Sequence, residues 1–236
     1  MRTALVVLAL GGLTLDAGRA AVADPKAVLR AVDRQARTRV VVRGDGVLEP
    51  SEGPAVPIVL LRRGTAVYVE AAEIRALVKP GKAYLPRAGK PQHAPVTTPL
   101  GTTGLVLEDL VPFTTGRLAV PQLSDDGPLG IAITGAPRPP TAYALLVVTV
   151  DPERAWPTRA KYYEGSISNL TKMRRDEDPV AVAGRLWPAT ITFEHFHPSR
   201  TTRLRLAWRA APELRLGLQQ LTGPSLLTSE GPPAPR

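Results

Sequence analysis

The chain has 236 residues, 30 of them Lys or Arg and 21 Asp or Glu, a formal charge of +9, and no cysteine. The lack of thiols excludes disulfides, a cysteine nucleophile, thiolate metal sites and a lipid-modified N-terminal cysteine. Aromatic residues are only 5% of the chain, so the basic balance points to anionic lipid surfaces, and no nucleic-acid partner is expected.

Met1-Arg2, an apolar run from Ala4 to Leu15 and Ala21-Val22-Ala23 before Asp24 form a secretory signal peptide over residues 1–23. The run is too short to span a bilayer, which needs roughly 20 apolar residues. Export to the periplasm follows. Asp24 as N-cap and Pro25 at the first helical position open a helix over Lys26–Arg37, with Val28, Leu29, Val32 and Ala36 on one stripe.

Strands are predicted from Thr38, where Val40 and Val42 alternate with Arg39, Val41 and Arg43 until Gly44-Asp45-Gly46 breaks the run. Val56–Leu61 and Thr65–Glu70 flank the turn Arg62-Arg63-Gly64, and Ile74–Lys79 and Lys82–Leu85 flank Pro80-Gly81. Arg87 to Thr103 reads as a long loop and Gly104–Leu110 as a short helix; a loop of this length is usually mobile or functional. Leu118–Val120 and Ile131–Thr134 are short strands, and Tyr143–Val150, apolar on both faces, is the best-buried strand by pattern.

A ladder follows from Tyr162 to Trp208. It comprises Ser168–Met173, a charged loop Arg174–Asp178, the entry Gly184–Pro188 into Thr190–Phe196, and the turn His197–Arg200 into Thr202–Trp208. In the last strand Leu204, Leu206 and Trp208 share one face, and Arg203, Arg205 and Arg209 share the other. Ala211–Leu221 is a strand remnant or a short terminal helix, and residues 223–236 form a Pro-rich disordered tail behind one domain over 24–222. The sum is a mainly β fold with α cover: an incomplete antiparallel β-barrel, a half-barrel of about 10 or 11 strands, with an N-terminal helix and a short lid helix.

Tyr84-Leu85-Pro86 with Gly89-Lys90, Glu108-Asp109-Leu110, the Tyr162-Tyr163 turn, Gly184-Arg185-Leu186-Trp187-Pro188 and the paired final strands carry a resemblance. In this order they resemble the outer-membrane lipoprotein-sorting proteins of the periplasmic LolA/LolB-like superfamily, from about Lys26 to about Leu221. The chain departs from that pattern at Gly104-Leu105-Val106, where many relatives carry an Asp-Phe pair, and in its Arg138-Pro139-Pro140. The resemblance implies a cavity for lipid or lipoprotein acyl chains, an inner-membrane transporter as donor, an outer-membrane acceptor, a monomer and no cofactor.

Alternate positions able to line such a cavity are Val40, Val42, Ile58, Leu60, Val67, Val69, Leu145, Val147, Ile191, Phe193, Leu204 and Leu206. Val28, Leu29, Val32, Leu105 and Leu110 would form the lid, and Arg200, Arg203, Arg205 and Arg209 a stripe for lipid headgroups or a docking partner. His195 and His197 make an H-x-H pair, half of a metal site. Asp125-Asp126 and Asp176-Glu177-Asp178 read as solvated loop charge, and Ser166 and Ser168 lack a nucleophile-elbow spacing, so neither an enzyme nor a metal site is expected. The alternatives to a carrier are an envelope-stress sensor on the same fold and a metallohydrolase using His195 and His197.

Overall fold

Asp24 and Pro25 start the first element as their chemistry requires. The Asp24 carboxylate accepts the Lys26 N–H at 3.0 Å, satisfying one orphan donor, and Pro25 has no N–H to leave unpaired. Helix α1 runs Pro25–Ala36 and buries Val28 and Val32. This computed structural model describes residues 24–71 and 74–227, so the expected signal peptide and most of the expected tail lie outside them. No helix of the described residues is long and apolar enough to cross a membrane.

Thirteen strands follow: β1 Val42–Pro50, β2 Val56–Arg63, β3 Ala66–Ala71, β4 Ile74–Lys79, β5 Lys82–Arg87 and β6 Lys90–Ala94 make the first meander. The second comprises β7 Gln122–Asp125, β8 Ile131–Gly135, β9 Tyr143–Asp151, β10 Trp156–Glu164, β11 Leu170–Val182, β12 Arg185–Phe196 and β13 Ser199–Ala210. All pairs between sequence neighbours are antiparallel, and β1 pairs with β13, so the first and last strands meet in the middle of one sheet. β6 and β7 are its two edges; the sheet does not close, and the architecture is an open half-barrel with a helix. Residues 95–121 cross between these edges, over the inner face.

Several readings change, among them Leu118–Val120, where only Leu118 bridges to Pro137 and the strand lies at Gln122–Asp125. Gly44-Asp45-Gly46 does not break β1 but lies inside it, because β13 approaches too closely there for a side chain. A Cβ on Gly44 would sit 2.9 Å from the Trp208 ring, and one on Gly46 would sit 1.9 Å from the Arg205 carbonyl oxygen. The charged run Arg174–Asp178 is strand, not loop: β11 pairs through it with β12 from Lys172↔His195 to Val182↔Arg185. Lys90–Ala94, placed in the long loop, pairs with β5 as the edge strand β6, which helps raise the strand number to thirteen.

Cross-strand partners share a face, so the pairing assigns every side chain. On the inner face Leu48, Ile58, Leu60, Val67, Val69, Ala76, Val78, Ile191, Phe193, Leu204 and Leu206 form one buried cluster. It continues as a second cluster, Ile133, Leu146, Val148, Ala160 and Tyr162, under Val32 of α1. A third lies on the outer face, where Val59, Leu61, Tyr68 and Leu77 are covered by Ala211, Leu221 and the partly buried Leu214, Leu216, Leu226 and Leu227. Residues Gly223 to Leu227, assigned to the tail by composition, are therefore packed on the sheet. That cover explains why β2 to β4 are buried on both faces, whereas β9, expected to be the best-buried strand, is so only from Val148 to Val150.

Candidate functional site

The inner face of a sheet this apolar must be covered, and here the cover is a loop. Val96, Leu100, Leu105, Leu107, Leu110 and Val111 from the crossover join the inner cluster. Over residues 96–111 the crossover's backbone–backbone bonds are its own: Leu100 N–H to Leu105 C=O at 2.8 Å, Leu107 N–H to Thr98 C=O at 3.0 Å and Glu108 N–H to Val96 C=O at 3.0 Å; farther on, Ala119 N–H donates to Ala136 C=O at 2.9 Å. It is a self-bonded hairpin ending in a short 3-10 helix, Leu107–Leu110, laid into the half-barrel as a plug. Its tip is held by Thr202, whose hydroxyl donates to Thr103 C=O at 2.7 Å. Arg200 packs its guanidinium against Gly104, which has a φ of +77° and leaves no room for a Cβ.

Glu108 and Asp109 fasten the base of the plug. Asp109 meets Lys172 of β11 at 2.5 Å and accepts a short hydrogen bond from the Tyr143 hydroxyl of β9, while Lys172 also donates to that hydroxyl at 3.0 Å. Glu108 binds Arg117 at 2.7 Å, the Thr141 hydroxyl at 2.8 Å and the Ala142 N–H at 3.0 Å. Asp33 of α1 joins the helix to the same segment by accepting from the Thr115 N–H at 2.7 Å and its hydroxyl at 2.9 Å. Burial, and then Asp109, push the Tyr143 hydroxyl well above its ordinary value, so it stays a donor.

Behind this latch, β11 turns Arg174 and Asp176 inward. They pair at 2.5 and 2.8 Å, and Arg174 also donates to Asp109 C=O at 3.0 Å. Burial alone would lower the Arg174 guanidinium, but Asp176 holds it above its usual range. Arg62 of β2 lies 4.6 Å over the Trp187 ring. Burial, and then Arg174, push it down to about 9, leaving it charged at neutral pH. These groups border a cavity of about 60 Å³, room for a few waters but not for an acyl chain. A larger cleft of about 400 Å³ opens beyond the plug, with Arg37, Lys79 and Arg138 among its lining.

The expected lining residues divide. Ile58, Leu60, Val67, Val69, Ile191, Phe193, Leu204 and Leu206 lie in the inner cluster, and Val42 is buried on the same face, opposite Arg62. Leu145 and Val147 point outward and are half-exposed, because β9 presents Leu146 and Val148 inward. Val40 is exposed: it precedes the first paired residue, in a bend where the Thr38 hydroxyl donates to the Val40 carbonyl. Of the lid residues, Val28, Leu29 and Val32 lie on α1, with Leu29 and Val32 over β8 to β10, and Leu105 and Leu110 in the plug.

The arginine stripe is compensated rather than free. Arg205 pairs with Glu49, and Arg209 with Asp45 at 3.7 Å and Glu213 at 3.8 Å; Arg203 is exposed, and Arg200 serves the plug tip. The histidines separate too. His195 is buried on the inner face with Nε2 unpartnered, and burial, Lys172 and Arg200 push it down to about 4; His197 is exposed beyond the strand. Among the described residues no cluster of three His, Asp or Glu forms a metal site. The residues missed at the sequence level are Lys172, Arg174, Asp176 and Arg62. Continuing the strand period from Leu170 through the charged run would have placed the first three on one face.

The fold is shared with solved structures of low identity. A domain described as an outer membrane lipoprotein-sorting protein, from Vibrio parahaemolyticus, is 10% identical with a TM-score of 0.68, covering 84% of this chain and 97% of its own. A LolA superfamily protein from Nitrosomonas europaea is 18% identical with a TM-score of 0.61, covering 79% and 93%. A DUF1329 family protein from Desulfovibrio piger is 14% identical with a TM-score of 0.61, covering 80% and 94%. No protein-family model matches the chain, and no curated protein matches it.

Proposed function

Given that the chain has the fold of the LolA superfamily, we propose that it is a non-catalytic periplasmic carrier. It would hold acyl chains of a lipoprotein or lipid against the inner face and move them towards the outer membrane. The observation that carries this reading is the plug. The apolar inner face is covered by a hairpin whose backbone–backbone bonds are internal, so lifting it breaks its ties to Thr202, Lys172, Tyr143 and Arg174 but no strand ladder.

Acyl chains are chemically equivalent to the Val and Leu side chains they would displace. Each buried methylene is worth ~0.8 kcal/mol, so a long chain represents roughly 10 kcal/mol of transfer from water. Lifting six aliphatic side chains at ~1.5–3 kcal/mol each costs roughly 9–18 kcal/mol, which the gain from one to two long chains offsets. Exchange with an inner-membrane transporter as donor and an outer-membrane acceptor then needs small net free-energy changes. The protein acts as a monomer after removal of its signal peptide.

Native mass spectrometry of protein isolated from its own periplasm tests the proposal. Bound lipid is expected, in greater amount for Leu105→Ala, which removes a fully buried plug side chain. Absence of lipid from both forms would overturn it.

A further inference from the structure

Arg62 is a cost to the fold that the residues nearby offset only in part. Its side chain is only 9% exposed, its Nε is buried without a hydrogen-bond partner, and it forms no ion pair among the described residues. The two carboxylates at hand are already engaged. Asp176 takes Arg174 through both oxygens, and Glu108 takes Arg117, Thr141 and the Ala142 N–H. Four guanidiniums, of Arg62, Arg117, Arg159 and Arg174, thus line one cavity with a single carboxylate, Asp176, while Glu108 pairs Arg117 from outside that lining. Among the described residues Arg62 and Arg159 are left without a carboxylate. Stacking on Trp187 compensates a guanidinium less than a carboxylate or phosphate would.

We propose that this cavity, floored by Arg62 on Trp187, binds an oxyanion, a phosphodiester or carboxylate, carried by the ligand. A guanidinium fork matches such a group bidentately, and a volume of about 60 Å³ fits a head group while excluding its chains. Val111 and Arg117 line both this cavity and the 400 Å³ cleft. The two are therefore adjacent, and a ligand approaching by the cleft passes Arg37, Lys79 and Arg138, cations that raise the local concentration of anions. The inference deepens the carrier reading by making the cargo an anionic amphiphile, and rests on that reading only for the chains.

Tryptophan fluorescence reports the site, since Trp187 and Trp156 border the cavity. Three probes are titrated below their aggregation limits: dihexanoylphosphatidylglycerol, dihexanoylglycerol with the same chains and no phosphate, and inorganic phosphate. Wild type is expected to bind the phosphatidylglycerol about ten-fold or more tighter than dihexanoylglycerol, with inorganic phosphate competing. Arg62→Leu is expected to reduce the two lipids to equal affinity and to melt no lower than wild type, since it removes an unpaired buried charge. Arg62→Gln repeats the comparison should the leucine variant fail to fold.

Equal affinities in wild type, or a preference that survives in the Arg62 variants, overturns the proposal. If neither lipid binds while phosphate shifts the fluorescence in an Arg62-dependent way, the carrier reading fails and the pocket stands as a free-phosphate site. If dihexanoylglycerol binds while phosphatidylglycerol and phosphate do not, the pocket fails and the carrier reading stands.

Discussion

Lys172 and Asp109 lie 2.5 Å apart with side chains only 7% and 0% exposed, although 63 residues separate them in the chain. The pair joins the plug to the middle of the second meander. Lys172→Met leaves the Asp109 carboxylate buried and uncompensated, and is expected to cost about 3–5 kcal/mol by urea denaturation. The double variant Asp109→Asn/Lys172→Met should cost clearly less than the two single changes summed, by at least about 1 kcal/mol. Additive costs would show that the pair does not act as a latch. Amide exchange over 105–111 should accelerate in both single variants.

The inward charges of β11 show where sequence reading runs out. Arg174-Arg175-Asp176-Glu177-Asp178 has the composition of a solvated loop, and its neighbours in sequence give no reason to bury it. The reason lies in Asp109, Tyr143 and the intrastrand pair Arg174–Asp176, partners that exist only once distant segments meet.

His195 gives the protein a pH dependence whose sign is fixed by its surroundings. Its folded value of about 4 lies below the ordinary 6.5, so between these the unfolded chain binds the extra proton. Stability contributed by neutral His195 is full above about pH 6.5 and is lost as pH falls towards 4. His195→Leu should flatten that part of the stability profile, measured as melting temperature in half-unit steps from pH 7 to 4. An unchanged slope would mean that the imidazole titrates normally.

Glu70 anchors the outer-face cover. Its carboxylate accepts from the Ser225 hydroxyl at 2.6 Å, the Leu226 N–H at 2.9 Å and the Tyr68 hydroxyl at 2.8 Å, and pairs with Arg75 at 3.0 Å. Burial alone would raise it, but these bonds and the charge of Arg75 hold it below its ordinary 4.5. Ser225→Ala should cost about 1 kcal/mol and Glu70→Gln about 1–3 kcal/mol at pH 7. The cost of Glu70→Gln should shrink as pH falls through the depressed value, where the native carboxylate takes up a proton. Equal cost at pH 7 and pH 3 would contradict the ionic anchor.

Gly46→Ala should be among the most damaging single-methyl additions in the chain. The new Cβ would meet the Arg205 carbonyl, which is backbone and cannot rotate away, so β1 and β13 must separate at a cost of at least about 3 kcal/mol. Gly44→Ala meets only the Trp208 ring and should cost less while shifting its fluorescence. Gly116→Ala, with nothing within 4 Å of its Cβ, should be near neutral. Comparable melting temperatures for all three would exclude the close approach of the two strands.

Local chemistry determined much of this protein from the sequence alone. Asp24-Pro25 caps α1, Gly81 and Gly184 turn hairpins, and the period of Thr202–Trp208 sets Leu204 and Leu206 inward and Arg203 and Arg205 outward. Each of these depends on residues within a few positions of one another. What the tertiary structure decided depends on segments far apart. The joining of β1 to β13 explains Gly44 and Gly46, and the C-terminal cover sets which strands are buried twice. The crossover between the two sheet edges likewise lays the long loop, whose Leu105 and Leu110 were expected in a lid, into the half-barrel as its plug. Strand periodicity assigns a side chain to a face, but only the opposing segment determines whether that face meets water, another side chain or a ligand.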